Sequence, residues 1–322
     1  MTKAAVMLAR GFGRGVLSAA LMVACSGQST KEPTPSVRNA SLATALELQL
    51  VQEKKIEKLL SNALDHYEAS GVTVAGGQLY VVFDDATAIA VIDTALNKGM
   101  LGPGNRTPSQ YEAISATDDG RFYVIIETFS EDDTRGQVVA LDSRTAVVSA
   151  AFTNTSFPDY NQGFESVAWL RASGTEYLLA LCENNACADE AVDPGQGRVQ
   201  LLALEGGVWA TRLVLPLPSN VTFDNYSDLA LLDNGDGSYR AAVLSRKSSA
   251  LWIGTLTTDP WVFASPGEFY SFPLRDGERS YCSLEGVTFL GPRSLALVSD
   301  TSDGDKPCNT EEESIHLFQL PP

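Results

Sequence analysis

Five stretches of this chain obey one grammar: "ASGVTVAGGQLYVVFDD", "QYEAISATDDGRFYVIIET", "GFESVAWLRASGTEYLLALCEN", "NYSDLALLDNGDGSYRAAVLSRK" and "SLEGVTFLGPRSLALVSDT". Each opens on a Ser or Glu, places Val, Ile or Leu two positions later, and runs into a short strand. A turn and a second apolar strand follow. The turns GG, DDG, ASG, NGDG and GP are strong hairpin punctuation. Most repeats then offer a third strand, as in "GQVVALD", "GRVQLLAL" and "ALWIGTL". Repeats of this kind predict an all-β chain, a five-bladed β-propeller with a central channel, preceded by a signal/lipoprotein segment. "ALELQLVQ" alternates Leu46, Leu48 and Leu50 inward with Glu47 and Gln49 outward, and is expected to close the ring beside "SIHLFQL". Between that strand and the first repeat, Ile56, Leu59, Leu60, Ala63 and Tyr67 recur at helical spacing and predict a short helix on the rim.

The first residues read as an address rather than a fold. Lys3, Arg10 and Arg14 precede the apolar run "GVLSAALMVA", which is too short to span a bilayer comfortably. The run ends in "LMVAC", similar to a bacterial lipobox, with Cys25 as the residue to be lipidated; an ordinary signal peptide is the rival reading. The expected division is 1–24 signal peptide, 25–41 polar tether and 42–322 propeller. The mature protein is then lipid-anchored in the bacterial cell envelope, or periplasmic or secreted, and touches the membrane only through its lipid.

Outside Cys25 the cysteines are Cys182, Cys187, Cys282 and Cys308, an even number that reads as disulfides in an oxidising compartment. Three pairings are open; Cys182–Cys187 with Cys282–Cys308 keeps each bridge inside one repeat. A metal site in "CENNAC" is the rival, but only two histidines, His66 and His316, exist to help it. The net charge of −17 argues against nucleic acid as a partner and favours a cation.

In a propeller the first strand of each blade lines the channel, so the five repeat heads converge: Ser70, Glu112, Glu165, Ser227 and Glu285. Three carboxylates and two hydroxyls facing one another need a counter-charge. An oxygen-only set suits Ca²⁺ better than Mg²⁺, zinc or copper. A second row, Asp84, Glu127, Glu183, Arg246 and Asp300, follows each second strand and is expected to rim the same mouth. There Asp84 and Glu127 are the candidate catalytic residues, and Glu183, Arg246 and Asp300 the candidate substrate-binding ones. A phosphoryl or carboxylate group bridging the ion and Arg246, with a carboxylate positioning water, is metal-assisted hydrolysis in outline. The bland alternatives are a wet polar mouth for the heads and solvated loop starts for the second row.

The order Ser, Glu, Glu, Ser, Glu resembles the soluble calcium-activated nucleotidase (apyrase) family, whose members are five-bladed propellers with an axial calcium ion. "SGV", "GFES" and "LEGVTF" are similar to that family's strand starts; "FDDAT" and "IET" resemble two of its further segments. Similar heads occur in bacterial phytase-like and esterase-like propellers. The resemblance implies the calcium ring over roughly residues 65–322. It departs at Ala86, where the nucleotidase pattern places an arginine, and so implies the ion more than the activity. Two functions are therefore expected. The first is a calcium-stabilised platform binding a small molecule, glycan or protein at the channel mouth. The alternative is a calcium-dependent phosphoester or phosphoanhydride hydrolase.

Overall fold

The computed structural model describes residues 44–61, 66–102, 110–142, 146–158, 160, 162–183, 197–301 and 311–322. Cys25, the signal segment, the tether, Ala63, Cys187 and Cys308 lie outside the described residues. The chain enters through β1 (Leu46–Glu47), β2 (Gln49–Lys55) and α1 (Ile56–Leu60), the only α-helix among the described residues. Four antiparallel meanders follow. They are β3 to β6 (Ala69–Ala75, Gln78–Phe83, Ala86–Asp93, Gly99–Leu101) and β7 to β10 (Tyr111–Ala116, Arg121–Ile126, Arg135–Asp142, Ala146–Ser156). Next come β11 to β14 (Phe164–Ala172, Thr175–Cys182, Arg198–Glu205, Val208–Pro216) and β15 to β18 (Asp228–Asp233, Ser238–Ser245, Ala250–Thr258, Trp261–Ser271). The last sheet combines β19 (Leu284–Gly291), β20 (Ser294–Ser299) and β21 (Ser314–Gln319) with β2, which pairs antiparallel with β21. An early strand, β2, and the last described strand, β21, thus share one sheet. A parallel contact, Thr153 of β10 against Trp209 of β14, joins the second and third meanders into one eight-stranded sheet.

The apolar residues sort into five cores, each sandwiched between successive meanders. One packs the third against the fourth around Trp252; the others join fourth to fifth, second to third, and first to second. The remaining core joins the last meander back to the first, through Ile315 and Val298 against Val72 and Phe83. The first strands β3, β7, β11, β15 and β19 likewise touch in a closed cycle. No two of them are ladder neighbours, so side chains fasten the junctions instead. Thr73 Oγ1 accepts the Ala116 N–H at 3.3 Å, and Ser115 Oγ accepts the Trp169 N–H at 2.8 Å. The strands enclose a cavity of about 210 Å³ lined from all five of them, the central channel that the repeats predict.

Two local expectations are corrected. "ALELQLVQ" is not one strand with three inward leucines. Leu48 is buried but Leu46 is exposed, because Leu46–Glu47 adds parallel to the edge of β18 while Gln49–Lys55 joins β21. The Leu48 N–H, bonded to Ser271 O at 2.9 Å, marks the crossing between sheets. The helix is also shorter than its spacing suggests. Ser61 adopts a left-handed conformation (φ 57°) that ends it after five residues, and Tyr67 is buried beyond it. Ile56, Leu59 and Leu60 do bury, against the first meander's core.

Candidate site at the head of the channel

Four of the five first strands begin with a bulge, and the bulged residue is the repeat head. In β3 the pairing with β4 passes from Ala69 to Gly71, leaving out Ser70. It passes from Tyr111 to Ala113 around Glu112, from Phe164 to Ser166 around Glu165, and from Leu284 to Gly286 around Glu285. In the remaining meander the Ser227 N–H donates to Leu244 O at 3.0 Å, although Leu244 already faces Asp228. A bulge inserts an unpaired residue and re-aims its side chain. That is how a carboxylate sits inside an apolar strand without entering its core.

The second row is registered on the heads by backbone. The amides of Asp84, Glu127, Glu183 and Asp300 donate to the carbonyls of Glu68, Gln110, Gly163 and Ser283, at 2.9, 3.4, 3.2 and 2.9 Å. Each acceptor lies two residues before a head. Arg246 follows a variant of the rule, its N–H donating to the Ser227 hydroxyl oxygen at 3.0 Å. Both predicted rows therefore come to one end of the channel.

Within that end the grouping differs from a simple ring of heads. Glu127, Glu165 and Glu183 each bring one carboxylate oxygen within 4.8 Å of the others'. Glu285 is instead ion-paired with Arg246. The Ser70 hydroxyl donates to the Tyr111 carbonyl, and the Ser227 hydroxyl takes the Arg246 amide. Glu127 is held by the Gly163 N–H at 2.7 Å to Oε1.

This crowding of acids shifts their titration. Burial raises Glu112 well above the usual carboxylate range, and Asp84, Glu127, Glu285 and Asp300 add to the rise. Burial also raises Glu165, helped by Glu112, Glu127, Glu183 and Glu285. Glu285 is pushed up to about 8 by burial, against the pull of Arg246. Burial lifts Glu127 to about 7 despite its bond from Gly163, and Asp300 to about 7 despite its bond from Thr301. Asp84 is raised by burial and then by Glu68. Sequence reasoning missed Glu68, because the corresponding residues before the other heads, Gln110, Gly163, Asn225 and Ser283, share no residue type with it. Such a donor set is oxygen-only, rich in acids and partly shielded from water, which suits a hard cation that would draw the carboxyls into their ionised form.

Elsewhere His316 and the two described cysteines sit away from this mouth, and His66 is exposed. His316 is fully buried, with Nε2 at 3.1 Å from Ser299 Oγ and Nδ1 at 3.4 Å from Glu53 Oε2. The order Ser, His, Glu looks like a hydrolytic triad, but Ser299 is 2% exposed and its hydroxyl donates to the Glu311 carbonyl at 2.5 Å. No substrate reaches it. Cys182 ends β12 in the core, and Cys282 lies half-buried before β19.

No protein-family model matches the sequence, and no curated protein does. Solved structures do match. Glutaminyl cyclase from Myxococcus xanthus superposes with a TM-score of 0.52 at 9% identity, over 85% of this chain and 97% of that one. CoXyl43, a GH43 β-xylosidase/α-arabinofuranosidase from a compost microbial metagenome, was solved with xylotriose in a calcium-free form. It gives a TM-score of 0.50 at 10% identity, over 84% of this chain and 94% of that one. Such identities speak for fold alone. With the closed cycle of first strands, they decide the architecture. The chain is a β-propeller. Neither match is a nucleotidase or a phytase, so the propeller's activity is argued from its own site.

Proposed function

We propose that this propeller has five blades, one per meander, and binds Ca²⁺ at the head of its channel as an envelope platform for a small molecule, glycan or protein. The observation that carries the reading is the approach of Glu127, Glu165 and Glu183 to within 4.8 Å, in a mouth where Arg246 is already engaged by Glu285. Carboxylates this close repel unless protons or a cation neutralise them, and a cation can serve all three at once. Glu165 is the head nearest the ion in this reading, the second-row pair completes its carboxylate ligands, and Glu112 stands by as a further oxygen donor while Glu285 is engaged by Arg246. The ion's chemistry would be to neutralise these groups and offer open positions to a ligand. The N-terminal segment, lipidated at Cys25, would tether the propeller to the envelope, and disulfides through Cys182 and Cys282 would brace it.

Thermal melting of the mature protein tests the ion. Added Ca²⁺ raises the melting temperature and chelator lowers it, because a ligand that binds only the native state stabilises it by mass action. Indifference to both removes the calcium claim. A second reading, a calcium-dependent phosphoester or phosphoanhydride hydrolase, is favoured by the Glu127 carboxyl, pushed up to about 7, a value suited to proton transfer near neutrality. Against it, Arg246 is spent on Glu285. Turnover of nucleoside diphosphates, phytate or a generic phosphoester that disappears in Glu127→Gln and with chelator would establish the hydrolase.

A further inference from the structure

Asp228 is a buried acid at the channel that neither row of the site accounts for. It is 4% exposed, begins β15, and lines the channel cavity just inside the heads. Its Oδ1 accepts the Ser166 hydroxyl at 2.6 Å and its own neighbour's amide, Leu229 N–H, at 2.7 Å. Its Oδ2 accepts the Val287 N–H at 2.6 Å. Ser166 is the residue after Glu165, and Val287 lies two after Glu285. One side chain on β15 thus grips β11 and β19 immediately past their bulges.

The other fastened junctions use neutral hydroxyls, Thr73 to β7 and Ser115 to β11. A hydroxyl is cheap to bury, whereas a carboxylate loses much more solvation and needs several donors in compensation. A structural tie alone does not require that outlay. A carboxylate does what one hydroxyl cannot, since its two oxygens accept from two different strands at once. The strands it joins carry the two head carboxylates that flank β15. Ser166 closes the set by also offering its oxygen to the Leu229 N–H at 2.9 Å, so the junction is cross-bonded in both directions.

We propose that Asp228 is the positioning residue of the channel-head site, fixing the β11 and β19 bulges so that Glu165 and Glu285 present their carboxylates at a set separation. The inference rests on the calcium reading above and deepens it. Ligand groups gain from a supporting shell that locks their geometry, and loss of such support typically weakens metal binding by about 10–100-fold.

The test is calcium calorimetry on the mature protein, paired with the lifetime of Tb³⁺ luminescence, which reports water bound to the metal. Asp228→Asn keeps one acceptor but turns an N–H toward the Val287 amide. It is expected to weaken Ca²⁺ by about 10-fold or more and to add water to bound Tb³⁺. Ser115→Ala removes a neutral tie from another junction and is expected to lower the melting temperature while leaving affinity within about twofold. Should Asp228→Asn not fold, Ser166→Ala, which cuts only the β11 arm, is expected to give the same signature more weakly. Wild-type affinity and hydration retained in Asp228→Asn, or in Ser166→Ala where that is the variant measured, would overturn the assignment. A wild-type protein that binds neither ion defeats the calcium reading itself, a result distinct from a binding wild type with an unaltered variant.

Discussion

The amide of Gly163 donates to Oε1 of Glu127 at 2.7 Å, and a methyl group on Gly163 would stand 2.4 Å from the Glu127 carbonyl oxygen. The glycine preceding Phe164 is therefore fixed by contact between neighbouring meanders, and the same contact orients a site carboxylate. Gly163→Ala forces that backbone apart. Overpacking of this kind costs about 1–3 kcal/mol, so urea unfolding should show that loss. Calcium-dependent stabilisation should shrink as well, since Glu127 loses its donor. An unchanged urea midpoint would mean that the strand ends yield without cost.

Glu165→Gln separates the ion from the fold. Without calcium, the variant replaces a half-buried carboxyl whose ionisation its neighbours oppose by a neutral amide, and at neutral pH is expected to melt higher than wild type. With calcium the order reverses, because the wild type gains about 2.7 kcal/mol at a hundredfold excess over Kd and the variant gains little. Scanning calorimetry in chelator and in calcium reads both limbs. If the variant melts lower in both conditions, Glu165 is a structural group and not a ligand.

Sequence pattern made the repeats, the channel heads and the second row legible, because strand alternation and turn chemistry are local. What it hid is geometric. A bulge adds one unpaired residue without disturbing the apolar pattern on either side, so Glu112 between Tyr111 and Ala113 reads as an ordinary strand residue. Glycine after the head was the available signal. Gly71 and Gly286 sit where an added Cβ would meet Ala113 Cα at 2.7 Å and Gly71 Cα at 2.9 Å, and a glycine inside a strand marks a bulge or a close backbone approach. The grouping of Glu127 and Glu183 with Glu165, and the capture of Glu285 by Arg246, depend on side-chain reach across blades. No spacing rule encodes that reach. Splitting of "ALELQLVQ" between two sheets is likewise a tertiary choice made at Leu48.

The channel head also sets a pH dependence for the calcium-free protein. Folded Glu127 and Asp300 titrate at about 7 and Glu285 at about 8, all above their unfolded values of 4.5, 3.8 and 4.5. Between those limits the folded state holds more protons than the unfolded state, so stability falls as pH rises from about 4.5 to about 8. Chelator-treated protein is expected to melt higher at about pH 5 than at about pH 8, and saturating calcium to flatten or reverse the slope. A calcium-free profile that rises across this window would show that the carboxylates are not held as described.

The opposite slope comes from the outer strands of the last sheet. Glu53 on β2 is drawn down to about 2, first by its bond with His316 and then, against the cost of burial, by Glu311 and Arg275. His316 is itself held below its usual value by burial. For both groups the unfolded chain binds more protons on acidification. The histidine withdraws stability as pH falls below about 6.5, and Glu53 withdraws it between 4.5 and about 2. Because the early strand β2 completes the last sheet by pairing with β21, this cluster ties the ring shut, with Arg275 bridging Glu53 and Glu311 from the preceding loop. Glu53→Gln is expected to melt lower than wild type at neutral pH and to lose less on going from pH 4.5 to about 2.5. Melting curves of the two proteins that stay parallel through that interval would remove Glu53 from the acid response.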